Sequence, residues 1–290
     1  MKYYYMKLDL EDFDQNFILM KIKKNEFFKG LNCFFLYNYA YDDCPSLEIY
    51  TQADGLNTAN TYITEDINLL SFLYGLDLLG ANSFHINEIN DPKIPIPTYT
   101  NRNIENLLIV VKSINSLSSL EKNKLLSSIR YFSRSLRLTD LELYEESFLT
   151  YFKSIEIICD HIYNQQFKSL FNDKIKIMFT NFIADWYEEE FQTSGSDNKV
   201  YKDLKKLLNS LETKRRILIR SLKYLDIQDT QNIGELVQLR NSIGAHGNTE
   251  VKKINQKNVQ EIAYLTHLVI SKYLLGDNYL NCIMKGSKNY

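Results

Sequence analysis

Three of the chain's four prolines, Pro92, Pro95 and Pro97, stand within six residues in the segment DPKIPIPTYTNRN (91–103). Proline lacks a backbone N–H, fixes its own φ and pushes the preceding residue out of the helical region. Neither a helix nor an inner strand can run through such a segment. Regular structure must therefore be built on either side of this break, and 290 residues are enough for two units that each bury a core. The formal charge changes at the same place. Residues 1–100 hold 7 Lys+Arg against 14 Asp+Glu, a balance of −7, and residues 101–290 hold 27 against 22, a balance of +5, within a total of −2. A mildly basic second part points towards a polyanionic partner.

Before the break, KYYYMKLDL (2–10), NFILMKIK (16–23), CFFLYNYAY (33–41) and LEIYTQAD (47–54) are short and rich in aromatic and β-branched residues, which predicts strands. One helix is expected over 64–80, capped by Thr64, with Glu65 and Asp66 at its positive end. After the break every periodic segment reads as helix. NIENLLIVVKSINSL is followed by SLEKNKLLSSIRYFSRSLR, in which Leu125, Leu126, Ile129, Phe132 and Leu136 share a face. A third helix is expected to open on Asp140 as its N-cap, with Phe148, Tyr151, Phe152, Ile155 and Cys159 inward. Further helices are expected over 201–225, 232–244 and 255–275. The fold class is accordingly α+β. A small N-terminal α/β domain, 1–95, for recognition or regulation precedes an all-α domain, 104–290.

No apolar run approaches the roughly 20 residues of a membrane helix, and NLLIVV (106–111) is far too short. The acidic start lacks the apolar core of a secretion signal, so a cytoplasmic location without membrane contact is expected. Cys33, Cys44, Cys159 and Cys282 are scattered without zinc-type spacing and read as thiols. No metal site and no cofactor are expected.

One short stretch carries chemistry. LRNSIGAHG (239–247) sets Arg240, Asn241 and His246 around Gly244, at the end of an expected helix whose inward residues are Ile233, Leu236, Val237, Leu239 and Ile243. On an unbroken helix, six residues at about 100° each would turn Arg240 and His246 to different faces. Gly244 can end the helix in the left-handed conformation and let His246 fold back. This places Arg240 in the helix's last turn. A helix C-terminus that simply favours two cations is the structural reading of the same residues.

RNSIGAH resembles the signature of HEPN-domain ribonucleases, and the following AHG resembles the Apea-like branch of that superfamily. Upstream, IRYFSRSLRLTDLELYEESFLTYFKSIEIICD resembles the family's paired helices, the second carrying a mid-helix glutamate, here Glu156. The resemblance covers about residues 105–280 and does not reach 1–100. Its one departure is the long separation of Glu156 from Arg240, filled by an extra basic helix. It implies metal-independent endoribonuclease activity, with Arg240, Asn241 and His246 catalytic, and Glu156 and Gly244 in support. It also implies a toxin or antiviral defence role, and a homodimer formed through the C-terminal domain that unites two Arg–His sets. The residues suit that chemistry. Histidine moves protons near neutral pH, and arginine stays charged and matches phosphate oxygens in a fork. Lys214, Arg215 and Arg216 read first as a solvated face and second as RNA contacts. A regulatory ligand or protein is expected at the N-terminal domain.

Overall fold

The first strand shows the alternation that sequence reading relies on: Tyr4, Met6 and Leu8 are buried while Lys7 and Asp9 are exposed. In the computed structural model, this stretch is β1 (Lys2–Asp9). The structure describes residues 1–10, 27–38, 46–78, 85–90, 92, 102–170, 173, 177, 213–228, 230–244 and 254–278. With β2 (Phe27–Lys29), β3 (Cys33–Asn38), β4 (Ser46–Ala53) and β5 (Asn87–Ile89), β1 forms an antiparallel sheet of order β2-β3-β4-β1-β5. Tyr5 stands opposite Tyr50 and Phe35 opposite Ile49 in its register. Three of the expected strands are present. The fourth, 16–23, lies outside the described residues, whereas the three-residue β2 and β5 were not anticipated.

Helix α1 (Leu56–Tyr74) packs on β3 and β4 and corrects the expected 64–80. It starts after Gly55, which offers no side-chain cap, and ends where Gly75 takes the left-handed conformation at φ 67. The polar LNTANTYI start hides the helical face, yet Ala59, Ile63, Ile67 and Leu70 repeat at three- and four-residue steps and are buried. Thr64, Glu65 and Asp66 are therefore mid-helix, away from any N-terminus.

Among the described residues the helical region includes α2 (Arg102–Ser116), α3 (Ser119–Asp140), α4 (Tyr144–Gln166), α5 (Lys214–Tyr224), α6 (Thr230–Gly244) and α7 (Gln256–Leu275), then a 3-10 turn (Gly276–Asn278). Ser118 and Glu121 cap α3 reciprocally, and Asn255 with Asn258 does the same for α7. Asp140 ends α3 instead of opening α4. The helix closes when Glu142 adopts φ 57 and the Leu143 N–H reaches back to the Leu138 carbonyl at 2.9 Å, a Schellman-type end without a glycine to announce it. The expected single helix over 201–225 is also corrected. A helix starts at Lys214, with the Thr213 hydroxyl accepting from the Arg216 N–H, and 201–212 lies outside the described residues. The chain is thus α+β, an antiparallel sheet followed by a mostly helical region. Among the described residues no helix is long and apolar enough to cross a membrane.

The chain divides into two compact units, residues 1–155 with 249–290, and residues 156–248. Most of the proline segment lies outside the described residues. The first unit joins the sheet and α1 to α2, α3, the first half of α4 and α7. Phe72 of α1 meets Phe132 of α3 edge-on at 5.3 Å, and the Ser133 hydroxyl donates to the Asn68 carbonyl at 3.0 Å. Phe132 also meets Tyr151 edge-on, as a core residue should, and His267 of α7 lies 4.7 Å from Phe72. Burial lowers the His267 pKa to about 4, so its imidazole is neutral packing material.

Within this unit one carboxylate anchors the sheet to α1. Leu31 and Asn32 form the two-residue loop between β2 and β3, closed by the Gly30 N–H to the Cys33 carbonyl at 2.8 Å. Asp66, buried to 1% exposure, accepts from the N–H groups of Leu31, Asn32 and Cys33, at 2.9 Å and 2.7 Å for the last two. A Cβ on Gly30 would collide with the Asp66 carboxylate and come within 2.7 Å of the buried Phe35 ring, which favours glycine here. Burial outweighs these three N–H donors and the Cys33 thiol, and raises the Asp66 pKa to about 7.

Candidate functional site

The second unit is assembled around the C-terminal half of α4. Glu156 and Asp160 are four residues apart and so lie on one helical face, with Cys159 beside them turned into the core. Each carboxylate meets a different helix. Asp160 pairs with Lys214 at the start of α5, Nζ to Oδ2 2.7 Å, a surface pair worth at most about 1 kcal/mol. Helix α5 is then fixed by apolar burial of Leu218 and Leu222 and by the Ser221 hydroxyl, which donates to the Cys159 carbonyl at 2.8 Å. Burial, reinforced by the neighbouring Asp160 and Glu156 charges, pushes the Cys159 thiol up and keeps it protonated.

Helix α6 buries Ile233, Leu236, Val237 and Ile243, as its periodicity predicts. Arg240 follows Leu236 and Val237 at four- and three-residue steps, which puts it on the edge of that inward face. From there its Nη2 donates to Glu156 Oε1 at 3.2 Å, joining residues 84 apart in sequence. The two ends of the pair differ in exposure: the Glu156 side chain is 11% exposed and that of Arg240 is 39%. The Arg240 Nη1 donates to Asn241 Oδ1 at 3.3 Å, and Asn241 is exposed. A nearly enclosed carboxylate thus grips the guanidinium of a side chain that is itself partly exposed.

The sequence-derived site residues fall into place unevenly. Glu156, Arg240 and Asn241 are brought together. Gly244 is the last described residue of α6, and Arg240 stands one turn before it. His246 lies outside the described residues, as does its geometry relative to Arg240. Lys214 is engaged with Asp160, and the Arg215 guanidinium lies against α6 at Gly234, where an added Cβ would be 3.5 Å from its Nη2. Arg216 is exposed. The sequence singles out Glu156 but not Asp160, although the four-residue spacing of two carboxylates on one face was a readable signal. Among the described residues no three His, Cys, Asp or Glu side chains converge as metal ligands.

Chemically, this arrangement suits anion recognition. A guanidinium presents five N–H donors in a plane that matches phosphate or carboxylate oxygens. Holding one edge by Glu156 reduces the rotamer freedom that an arginine otherwise loses on binding. Compared with protein-family models, with curated proteins and with solved structures, the chain matches none.

Proposed function

We propose that the protein is a metal-independent endoribonuclease of the HEPN type, with Arg240, Asn241 and His246 at the reacting phosphate and Glu156 positioning Arg240. The observation that carries this reading is the Glu156–Arg240 pair: two residues that the resemblance selects independently, one for each helix, meet at 3.2 Å. In the proposed reaction the ribose 2′-hydroxyl loses its proton and attacks the adjacent phosphorus. The 5′-oxygen leaves with a proton, giving a 2′,3′-cyclic phosphate and a 5′-hydroxyl. His246 supplies one proton transfer. Arg240 stabilises the charge that builds on the phosphoryl oxygens. One histidine cannot readily serve both transfers, so the reading includes a C₂ homodimer in which two copies of 239–247 face one cleft. The biological role that accompanies this reading is a cytoplasmic toxin or anti-phage effector restrained through its N-terminal region.

The competing reading is a non-catalytic HEPN module that dimerises or binds a partner, since an ion pair between two helices can serve packing alone. Incubating the purified full chain with RNA in EDTA separates them. The ribonuclease reading expects cyclic-phosphate products, with cleavage falling roughly 10²–10⁴-fold in His246→Ala. Cleavage that is absent, or equal in the wild type and His246→Ala, contradicts it and leaves the binding module.

A further inference from the structure

Helix α3 turns one face into the core through Leu125, Leu126, Ile129 and Phe132. On its opposite face it carries Arg130, Arg134 and Arg137, all exposed, at steps of four and three residues. These steps place the three side chains in one row along the helix, about 10 Å long at roughly 1.5 Å per residue. We propose that this row is a binding surface for the phosphate backbone of single-stranded RNA, separate from the residues of 239–247.

The row's lack of counter-charge is the first support. Helix α3 holds five cations, Lys122, Lys124, Arg130, Arg134 and Arg137, against two acids, Glu121 and Asp140. Glu121 is committed to the N-terminal capping box, where its carboxylate accepts from the Ser118 N–H at 3.0 Å and from the Ser118 hydroxyl at 2.7 Å. Asp140, the last residue of the helix, makes no ion pair with Arg137 three residues before it. No acidic side chain among the described residues pairs with any of the three arginines. On α5, by contrast, Lys214 has Asp160.

The spacing is the second support. Like charges four apart on a helix repel, at a cost of about 0.2–0.5 kcal/mol, so a face meant only for water gains nothing from setting Arg134 one turn after Arg130. A chain of phosphates relieves the repulsion. A single nucleic-acid strand carries one negative charge per nucleotide at a repeating interval of several ångströms, so more than one phosphate falls along a row of this length. Asn123 and Ser127 continue the same face towards the helix start and add neutral hydrogen-bonding groups. An acidic protein segment would need carboxylates spaced to the row, whereas a phosphodiester strand supplies its charges at a regular interval. The choice of RNA as the polyanion rests on the ribonuclease reading; the requirement for a regularly charged strand does not.

The test uses the full chain and a fluorescent 2′-O-methyl RNA oligonucleotide, which has no 2′-hydroxyl and cannot be cleaved. Binding is read by anisotropy over a series of salt concentrations. Replacing Arg130, Arg134 and Arg137 together by Gln should weaken binding at least about tenfold and reduce the slope of log K against log salt by roughly 2. A charge-matched variant, Lys2, Lys7 and Lys29 to Gln, should leave the slope near that of the wild type. Equal slopes for the wild type and the arginine variant would overturn the proposal. So would an equal loss in the lysine variant, which would mark a net-charge effect. Displacement of the RNA by polyglutamate at matching charge concentration would point to an acidic protein and would also overturn it. Because the probe is inert, lost cleavage with intact arginine-dependent binding counts against the ribonuclease reading alone.

Discussion

Asp66 and Glu156 are both carboxylates on the inward side of a helix, and they are held in opposite ways. Asp66 is enclosed, and its partners are three backbone N–H groups and the Cys33 thiol of a turn 33–35 residues away in sequence. Everything it binds is fixed and nothing charged faces it in return, so its work is confined to joining α1 to the β2–β3 hairpin. Glu156 is only slightly more exposed, but its partner is a side chain that reaches solvent. A carboxylate that grips backbone stabilises a fold. One that grips a half-exposed guanidinium also aims a cation, and that second kind of contact is the one to expect at a site for an anionic substrate.

The largest effect that can break this comparison is on stability at Asp66. Asp66→Ala leaves buried N–H groups without their acceptor, at about 1–3 kcal/mol for each one that water cannot reach. A loss of about 2–4 kcal/mol is therefore expected by urea denaturation. A loss below about 1 kcal/mol would mean that the hairpin closes without this anchor.

A second measurement sharpens the contrast through pH. The native Asp66 pKa of about 7 lies above the unfolded value of about 3.9, so native protein holds a proton that the unfolded chain has released between those limits. The stability from this group is complete below the unfolded value and is lost as pH rises through about 7. Wild-type stability should fall relative to Asp66→Asn between pH 5 and pH 8, since Asn keeps the shape but cannot titrate. Parallel curves for the two proteins across that window would show that Asp66 is not protonated in the native state.

Much of the architecture was legible because burial follows period. The faces of α3 and α6 and the alternation of β1 can be read from single segments, and they carried the α+β class. What could not be read depends on residues far away in sequence or on missing local signals. The strands β2 and β5 are three residues long and exist through their neighbours β3 and β1. Thr64 and Asp140 misplaced two helix starts because Gly55 opens α1 without a side-chain cap and a non-glycine residue, Glu142, takes the left-handed position after α3. The anchoring role of Asp66 was invisible, since no local pattern links it to Gly30. At the candidate site, resemblance selected Glu156 and Arg240 separately. Their pairing across 84 residues became readable only in three dimensions.

If the protein is the proposed ribonuclease, Glu156 serves Arg240 in catalysis more than it serves stability. Glu156→Gln keeps the shape and a hydrogen-bond acceptor but removes the charge that fixes the guanidinium. Single-turnover RNA cleavage in EDTA, with urea denaturation run on the same samples, reads both roles at once. Cleavage should be at least about tenfold slower, with a stability loss of no more than about 2 kcal/mol, since Gln still offers Arg240 an acceptor. An unchanged cleavage rate in a variant destabilised by several kcal/mol would contradict that role and make the pair a structural clamp between α4 and α6.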